Sequence, residues 1–467
     1  MSTLVSNAPS IKEKEVFSVP YILTAFFVLS WVVIFYEVSP AVGALILMGL
    51  IVFQFSSYSN SISVLLMTLW VPFFDNLIGE FSQALDAHRI LFIPFYFLSL
   101  RQAKLRSLPG KRKYVWLILI SLVLLQATAA VQVLHRGMPL GTDQEGSSLY
   151  PVLAYIYDNI IVLTLIYFCY TRLSLERLNY FMDLIIFLTA LQALAIVHLT
   201  VLNLDMLTRF RSDSILWSNP YFGHKNDWSM VFVFVALLAL TRKTYKDGKG
   251  LFYLICLGAV LLGISLSLSR QAYVWTFGVF VLLAFFNGKF KIIGYLLGII
   301  VLLLIIQPDF LYERMEGMLN ASNQEEFQSL NRKVSDLALE QAVNNFTVVP
   351  RMFVQNWEYN WSEGFWNGFL HQQGILGLLF VFVLYIMLYL RFWNISKQNS
   401  QRLRYLARMG MIMLILMFFA NFTRRHTHLM HYKGEIGQIG LLFMFLWMYV
   451  EVGLKYFFRD DNKLNAM

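Results

Sequence analysis

Stretches of about 20 apolar residues recur along the whole chain, and they constrain its fold more than any motif does. A helix needs about 20 such residues to cross a bilayer. Lipid cannot satisfy open backbone groups, so helices are the default for spanning segments. Of the 467 residues, 58% are hydrophobic and only 14% are charged. A soluble domain is roughly 45–50% apolar and about 25% charged. No soluble fold hides this much apolar surface behind so few charges. Disordered, collagen-like and disulfide-scaffold chains are excluded by the same composition. The expectation is an all-α polytopic membrane protein.

Candidate spans number 14, near 19–37, 40–56, 61–76, 88–100, 114–134, 150–170, 179–203, 227–241, 251–268, 271–287, 290–307, 366–390, 405–421 and 435–454. The third and fourth are short and interrupted by Asp75, Glu80 and Asp86, so 12 or 13 crossings also fit. The first 18 residues are polar without a cleavage signature, and the run from Val19 is too long for a signal peptide core. It reads as an uncleaved first span. With the N-terminus in the cytoplasm, nearly two thirds of the 37 Lys and Arg fall inside, as the positive-inside rule requires. Both termini are then cytoplasmic. The inside clusters include Arg101–Lys113 and Arg242, Lys243, Lys246 and Lys249. The net charge of +9 sits in short clusters between apolar runs, a pattern suited to topogenesis and anionic headgroups rather than nucleic acid. Cys169 and Cys256 both lie in apolar runs, so no disulfide framework is expected.

Four regions follow: N-terminal spans over 1–203, a core with outer basic motifs over 204–307, an extracytoplasmic loop over 308–365, and C-terminal spans over 366–467. The loop, just before the third-last span, has helical spacing at Phe327, Leu330, Val334 and Leu337. It is too rich in aromatics for disorder. Loops of this length are usually functional or disordered.

Three constellations on the expected outer face could carry chemistry. Arg209 and Arg211 precede Asn219-Pro-Tyr-Phe-Gly-His-Lys-Asn-Asp-Trp228, which leads into a span. Lys225 and two Arg near a helix N-terminus make an anion site by charge and dipole together, and His224 could share a proton. The plainer reading is a capped helix start with Asn226 or Asp227 as N-cap. Arg270 ends Ser265-Leu-Ser-Leu-Ser-Arg between two spans. Its planar fork suits a diphosphate, or it snorkels to outer headgroups, with the serines packing on a neighbouring helix. Glu363 stands at the exit of the long loop, beside Trp361 and Trp366, ahead of His371, Gly374 and Gly377. It could accept a proton from an attacking sugar hydroxyl, or simply favour a helix dipole. His371 is better read as a hydrogen-bonded bundle residue.

Two further features are weaker. His426, His428 and His431 could bind zinc by spacing alone, but no Cys and few carboxylates support a closed site, so an outer basic patch is preferred. Asp158 and Asp183 lie within spans. A carboxylate buried there is a functional candidate by default, or else it pairs with a basic residue, for which Arg270 is a reasonable partner.

Three of these motifs, in order, resemble the O-antigen ligase and polymerase family of polytopic membrane glycosyltransferases. Gly223-His-Lys-Asn226 opening a span is similar to that family's Gly-His-x-Asn. Ser269-Arg270 resembles its Ser-Arg motif. The long loop followed by Glu363, Gly374 and Gly377 looks like its loop exit, and Arg332 resembles its loop arginine. The likeness covers roughly residues 205–390. It implies transfer of undecaprenyl-diphosphate-linked glycans at the outer face of the bacterial inner membrane, with inversion and with neither cofactor nor metal. Arg270, Arg332 and Arg211 with Lys225 would hold the leaving diphosphate, and Glu363 would act as base. Arg209, His224, Asn226, Trp361 and Trp366 would complete the substrate site. Ligases of this family carry His where this chain has Glu363, and polymerases more often an acid. The expected function is therefore a polymerase joining lipid-linked oligosaccharide repeats, alongside a flippase and a chain-length regulator. An O-antigen or protein O-glycan ligase is the alternative. The rival of another class is a secondary transporter, but the two related halves typical of many transporters are not evident.

Overall fold

A computed structural model describes residues 218–219, 223–244, 250–267, 269–288, 365–420 and 438–464, with helical residues interspersed over 179–197 and at 293–294 and 297–298. These residues are almost all helical. Six helices carry the architecture: α1 Lys225–Thr244, α2 Gly250–Leu266, α3 Arg270–Asn287, α4 Phe365–Ser396, α5 Gln401–Ala420 and α6 Gln438–Leu464. Ahead of α1, a two-residue antiparallel ladder pairs β1 (Ser218–Asn219) with β2 (Gly223–His224). The expected spans 1–6, the long loop and the segment holding His426, His428 and His431 lie outside the described residues.

Each helix covers an expected span, with small shifts at the ends. The span expected over 227–241 is a helix from 225 to 244, so Asn226 and Asp227 sit in its first turn rather than at the N-cap. The span expected over 366–390 continues to Ser396. The last span runs on to Leu464. Apolar character marks the part that packs, whereas helix continues wherever backbone bonding does. Ile375–Ser396 and Gln401–Ala420 are each long and apolar enough to cross a membrane, and Gly250–Leu266 and Gln271–Asn287 are shorter apolar helices.

Tertiary contacts and the short turn between α2 and α3 fix the directions of α1 to α5. In α1 and α2, Arg242 lies over the Tyr253 ring at 5.6 Å, and ten residues away Phe232 packs against Gly263. That register is antiparallel. The 179–197 segment runs parallel to α2: Asp183 bonds Tyr253, and Ala193 meets Gly263. Helices α4 and α5 form an antiparallel hairpin, closed by Phe382 and Tyr385 on Phe418 and by Phe392 against Gly410. Arg408 of α5 donates to Asn287 at the end of α3. Arg391 of α4 and Arg402 of α5 reach Glu451 and Tyr449 of α6. The C-termini of α1, α3 and α4 therefore gather at one end of the bundle with the N-termini of α2 and α5. The N-termini of α1, α3 and α4 point to the other end.

The glycines at the close approaches are there for space. A Cβ on Gly263 would come within 2.8 Å of both Ala193 and Phe232, and one on Gly410 within 2.5 Å of Phe392. Around these points the core is filled by Phe232, Phe234, Phe392, Phe443 and Trp447. Outward, α4 exposes Leu376, Leu379, Val383, Ile386 and Leu390, spaced three and four apart on one helical face.

Candidate functional site

The end of the bundle that carries the starts of α1, α3 and α4 also carries the sequence motifs. Gly223 and His224 form β2, and Lys225 and Asn226 open α1 directly behind it. The antiparallel register of α1 on α2 sets Lys225 level with the turn that follows α2. That turn is tightly built. Ser267 donates its hydroxyl to Ile264 O at 2.6 Å and accepts from the Ser269 N–H. Tyr273 reaches back to the Ser265 carbonyl at 2.5 Å. Ser269 is the N-cap of α3, with extended backbone and its Oγ accepting from the Ala272 N–H at 3.3 Å. Arg270 is thereby the first residue of α3, at the same level as Lys225.

The serine run builds this turn through local hydrogen bonds. Ser265 and Ser267 bond carbonyls of their own helix and Ser269 caps the next one. The physical reason is the turn itself, whose free carbonyls and N–H groups are the nearest partners a short hydroxyl can reach. Trp366 sits in the first turn of α4, one residue after the described chain resumes at Phe365. Arg209, Arg211, Arg332, Trp361 and Glu363 lie outside the described residues.

The opposite end holds a polar knot that sequence reasoning missed. Arg242 and Asp183 form an ion pair at 2.6 Å, with side chains only 2% and 3% exposed. Tyr253 donates to the same carboxylate oxygen at 2.8 Å. The Asn179 Oδ1 accepts from Arg242 at 2.7 Å, from Arg402 at 2.5 Å and from the Tyr449 hydroxyl. Tyr449 in turn accepts from both guanidinium groups, at 3.2 and 3.1 Å. Five segments, 179–197, α1, α2, α5 and α6, meet in this one network.

Arg270 was a reasonable partner for Asp183 on sequence, and the structure corrects this to Arg242. The helix directions explain why: Arg270 opens a helix at the far end, whereas Arg242 closes one beside the start of the 179–197 segment. Arg242 was grouped with the inside cluster, and it is buried. The chain's own signal was a carboxylate four residues from Asn179, with Arg, Tyr and Arg near the ends of neighbouring apolar runs. Nearby, Glu451 holds Arg391 bidentately at 2.8 and 3.0 Å. Charged pairs that replace water so fully tie helix ends together, since losing one partner strands the other in a dry interior.

Asp158 lies outside the described residues. Among the described residues no group of three or more His, Cys, Asp or Glu is gathered as for a metal ion. Cys256 is a buried free thiol. No protein-family model matches the chain, and no curated protein matches it.

Proposed function

We propose that the chain is a polytopic membrane protein of 12–14 spans in the bacterial inner membrane, both termini cytoplasmic. In it, undecaprenyl-diphosphate-linked oligosaccharide repeats are joined into surface polysaccharide at the outer face. The observation that carries this reading is the common level of Lys225 and Arg270, the two motif cations at helix starts on one end of the bundle. Supporting it, the bundle buries an Arg–Asp pair while exposing a Leu/Ile/Val face on α4, the reverse of a water-soluble helix and suited to lipid outside. The knot at the other end lies among residues expected inside, which supports an outer position for Lys225 and Arg270.

The chemistry follows from charge. The acceptor hydroxyl gives its proton to Glu363 and attacks the anomeric carbon. The bond from that carbon to the diphosphate oxygen breaks, and undecaprenyl diphosphate leaves with added negative charge. Cations arranged in advance stabilise that charge as it develops. Arg270, Arg332, Arg211 and Lys225 fill this role, with Arg209, His224 and Asn226 beside them. Trp361 and Trp366 offer flat apolar faces to sugar rings. Neither cofactor nor metal takes part, and the partners are lipid-linked oligosaccharide, membrane lipids, a flippase and a chain-length regulator.

A deletion complemented with wild type, Arg270→Ala, Arg332→Ala or Glu363→Gln tests the proposal, with membrane abundance checked by blot. The expected result is loss of long chains and accumulation of single repeats in each abundant variant. Long chains that persist on lipid diphosphate without reaching core lipid or protein would assign a ligase instead. An unchanged glycan pattern in the deletion itself would remove the glycan reading and favour transport.

A further inference from the structure

The buried face of the 179–197 segment is polar well above the ion pair. Thr189 is 0% exposed and Gln192 1% exposed, and they are three residues apart, on the same side of the helix. Gln192 has neither donor nor acceptor satisfied: its Nε2 and Oε1 both lack a hydrogen-bond partner, as does Thr189 Oγ1. Two donors and two lone pairs on the amide, with a hydroxyl that both gives and accepts, are thus aimed into the packed interior. The next residue, Ala193, lies against Gly263 of α2 at the level of Phe232, which fixes this spot in the bundle core. By helical rise it stands about 13 Å along the segment from Asp183.

Buried polar atoms in folded proteins have partners in the great majority of cases, and each exception asks for an explanation. Internal water needs two to four polar partners and a polar site. Gln192 Nε2 and Oε1 and Thr189 Oγ1, within one turn of each other, offer three polar atoms to such a water, and none has a hydrogen-bond partner.

We infer that Thr189 and Gln192 form a binding site for internal water, so that the core of the bundle is hydrated above the Asp183–Arg242 pair. The bound water donates to Gln192 Oε1, accepts from Gln192 Nε2 and exchanges a hydrogen bond with Thr189 Oγ1. The inference is independent of the glycan reading.

Radiolytic hydroxyl-radical labelling of the full-length protein in detergent tests it, because radicals formed at bound water mark side chains that bulk solvent cannot reach. The peptide spanning Thr189–Ala193 should be labelled in wild type above the core peptide around Phe232. Gln192→Leu and Thr189→Val should bring it down to that core level. Melting temperature provides the second readout, since removing a polar group that truly lacks a partner stabilises whereas removing one that binds water does not. Gln192→Leu should lower it by roughly 2–4 °C. An unlabelled wild-type peptide overturns the proposal, and so does a Gln192→Leu protein that melts higher than wild type. If a variant does not fold, labelling of the wild type decides alone.

Discussion

Arg242 and Asp183, 59 residues apart in sequence, meet at 2.6 Å with both side chains buried. Around that pair, Tyr253, Asn179, Arg402 and Tyr449 bind five segments of the chain into one network. This buried charge network sits within a core that is otherwise mostly apolar.

Removing one member of this pair should be severe. Arg242→Ala strands a buried carboxylate, and breaking such pairs costs about 3–5 kcal/mol. The double variant Asp183→Leu/Arg242→Met removes both charges and should recover part of that loss. Thermal unfolding of detergent-solubilised protein, monitored by retained monodispersity, measures both.

The second ion pair should respond unequally to its two halves. Glu451 is 2% exposed, whereas Arg391 is 26% exposed and can swing its head toward solvent. Arg391→Ala therefore leaves a buried carboxylate and should cost about 2–3 kcal/mol, while Glu451→Gln keeps an acceptor and should cost about 1 kcal/mol or less. Equal losses would mean that the burial of Glu451 does not govern the pair.

Glycines at the close helix approaches separate from those with room. Gly263→Ala and Gly410→Ala force contacts under 3.0 Å and should destabilise by about 1–3 kcal/mol. Gly258→Ala and Gly278→Ala meet nothing within 4 Å and should be neutral or stabilise by up to ~1 kcal/mol through helix propensity. Phe392→Leu should partly rescue Gly410→Ala, because Phe392 Cε1, Cζ and Cδ1 are the atoms in the way.

The helices were legible because a span must keep nearly 20 apolar residues together, and the starts at Lys225, Arg270 and Phe365 fall within a residue or two of those read from the pattern. Gln401 is four residues earlier than expected because polar Arg402 and Arg404 hid the first turn. Partner choice was not legible. Asp183 announces that it needs a cation, but which one depends on helix order and direction, and packing selects Arg242. The orphaned amide of Gln192 was equally silent, since a lone Gln in an apolar run carries no pattern. On the motif side, the common level of Lys225 and Arg270 comes from the register of α1 on α2, which no local spacing reveals.

Capping should be separable from chemistry at α3. Ser269→Ala removes the Oγ acceptor for the Ala272 N–H and should cost about 1 kcal/mol, with Ser269→Asp retaining most of it. In the complementation assay Ser269→Ala should shorten polysaccharide chains less than Arg270→Ala does. Equal defects would mean that Arg270 matters only for holding the helix start.

The most direct measurement of the central proposal uses purified protein in liposomes with lipid-diphosphate-linked repeats as the only glycan. The account predicts a ladder of lengthening chains, with one undecaprenyl diphosphate released per bond formed, and no ladder from folded Arg270→Ala or Glu363→Gln protein. A wild-type protein that leaves the repeats unjoined, or a ladder undiminished in both variants, would contradict it.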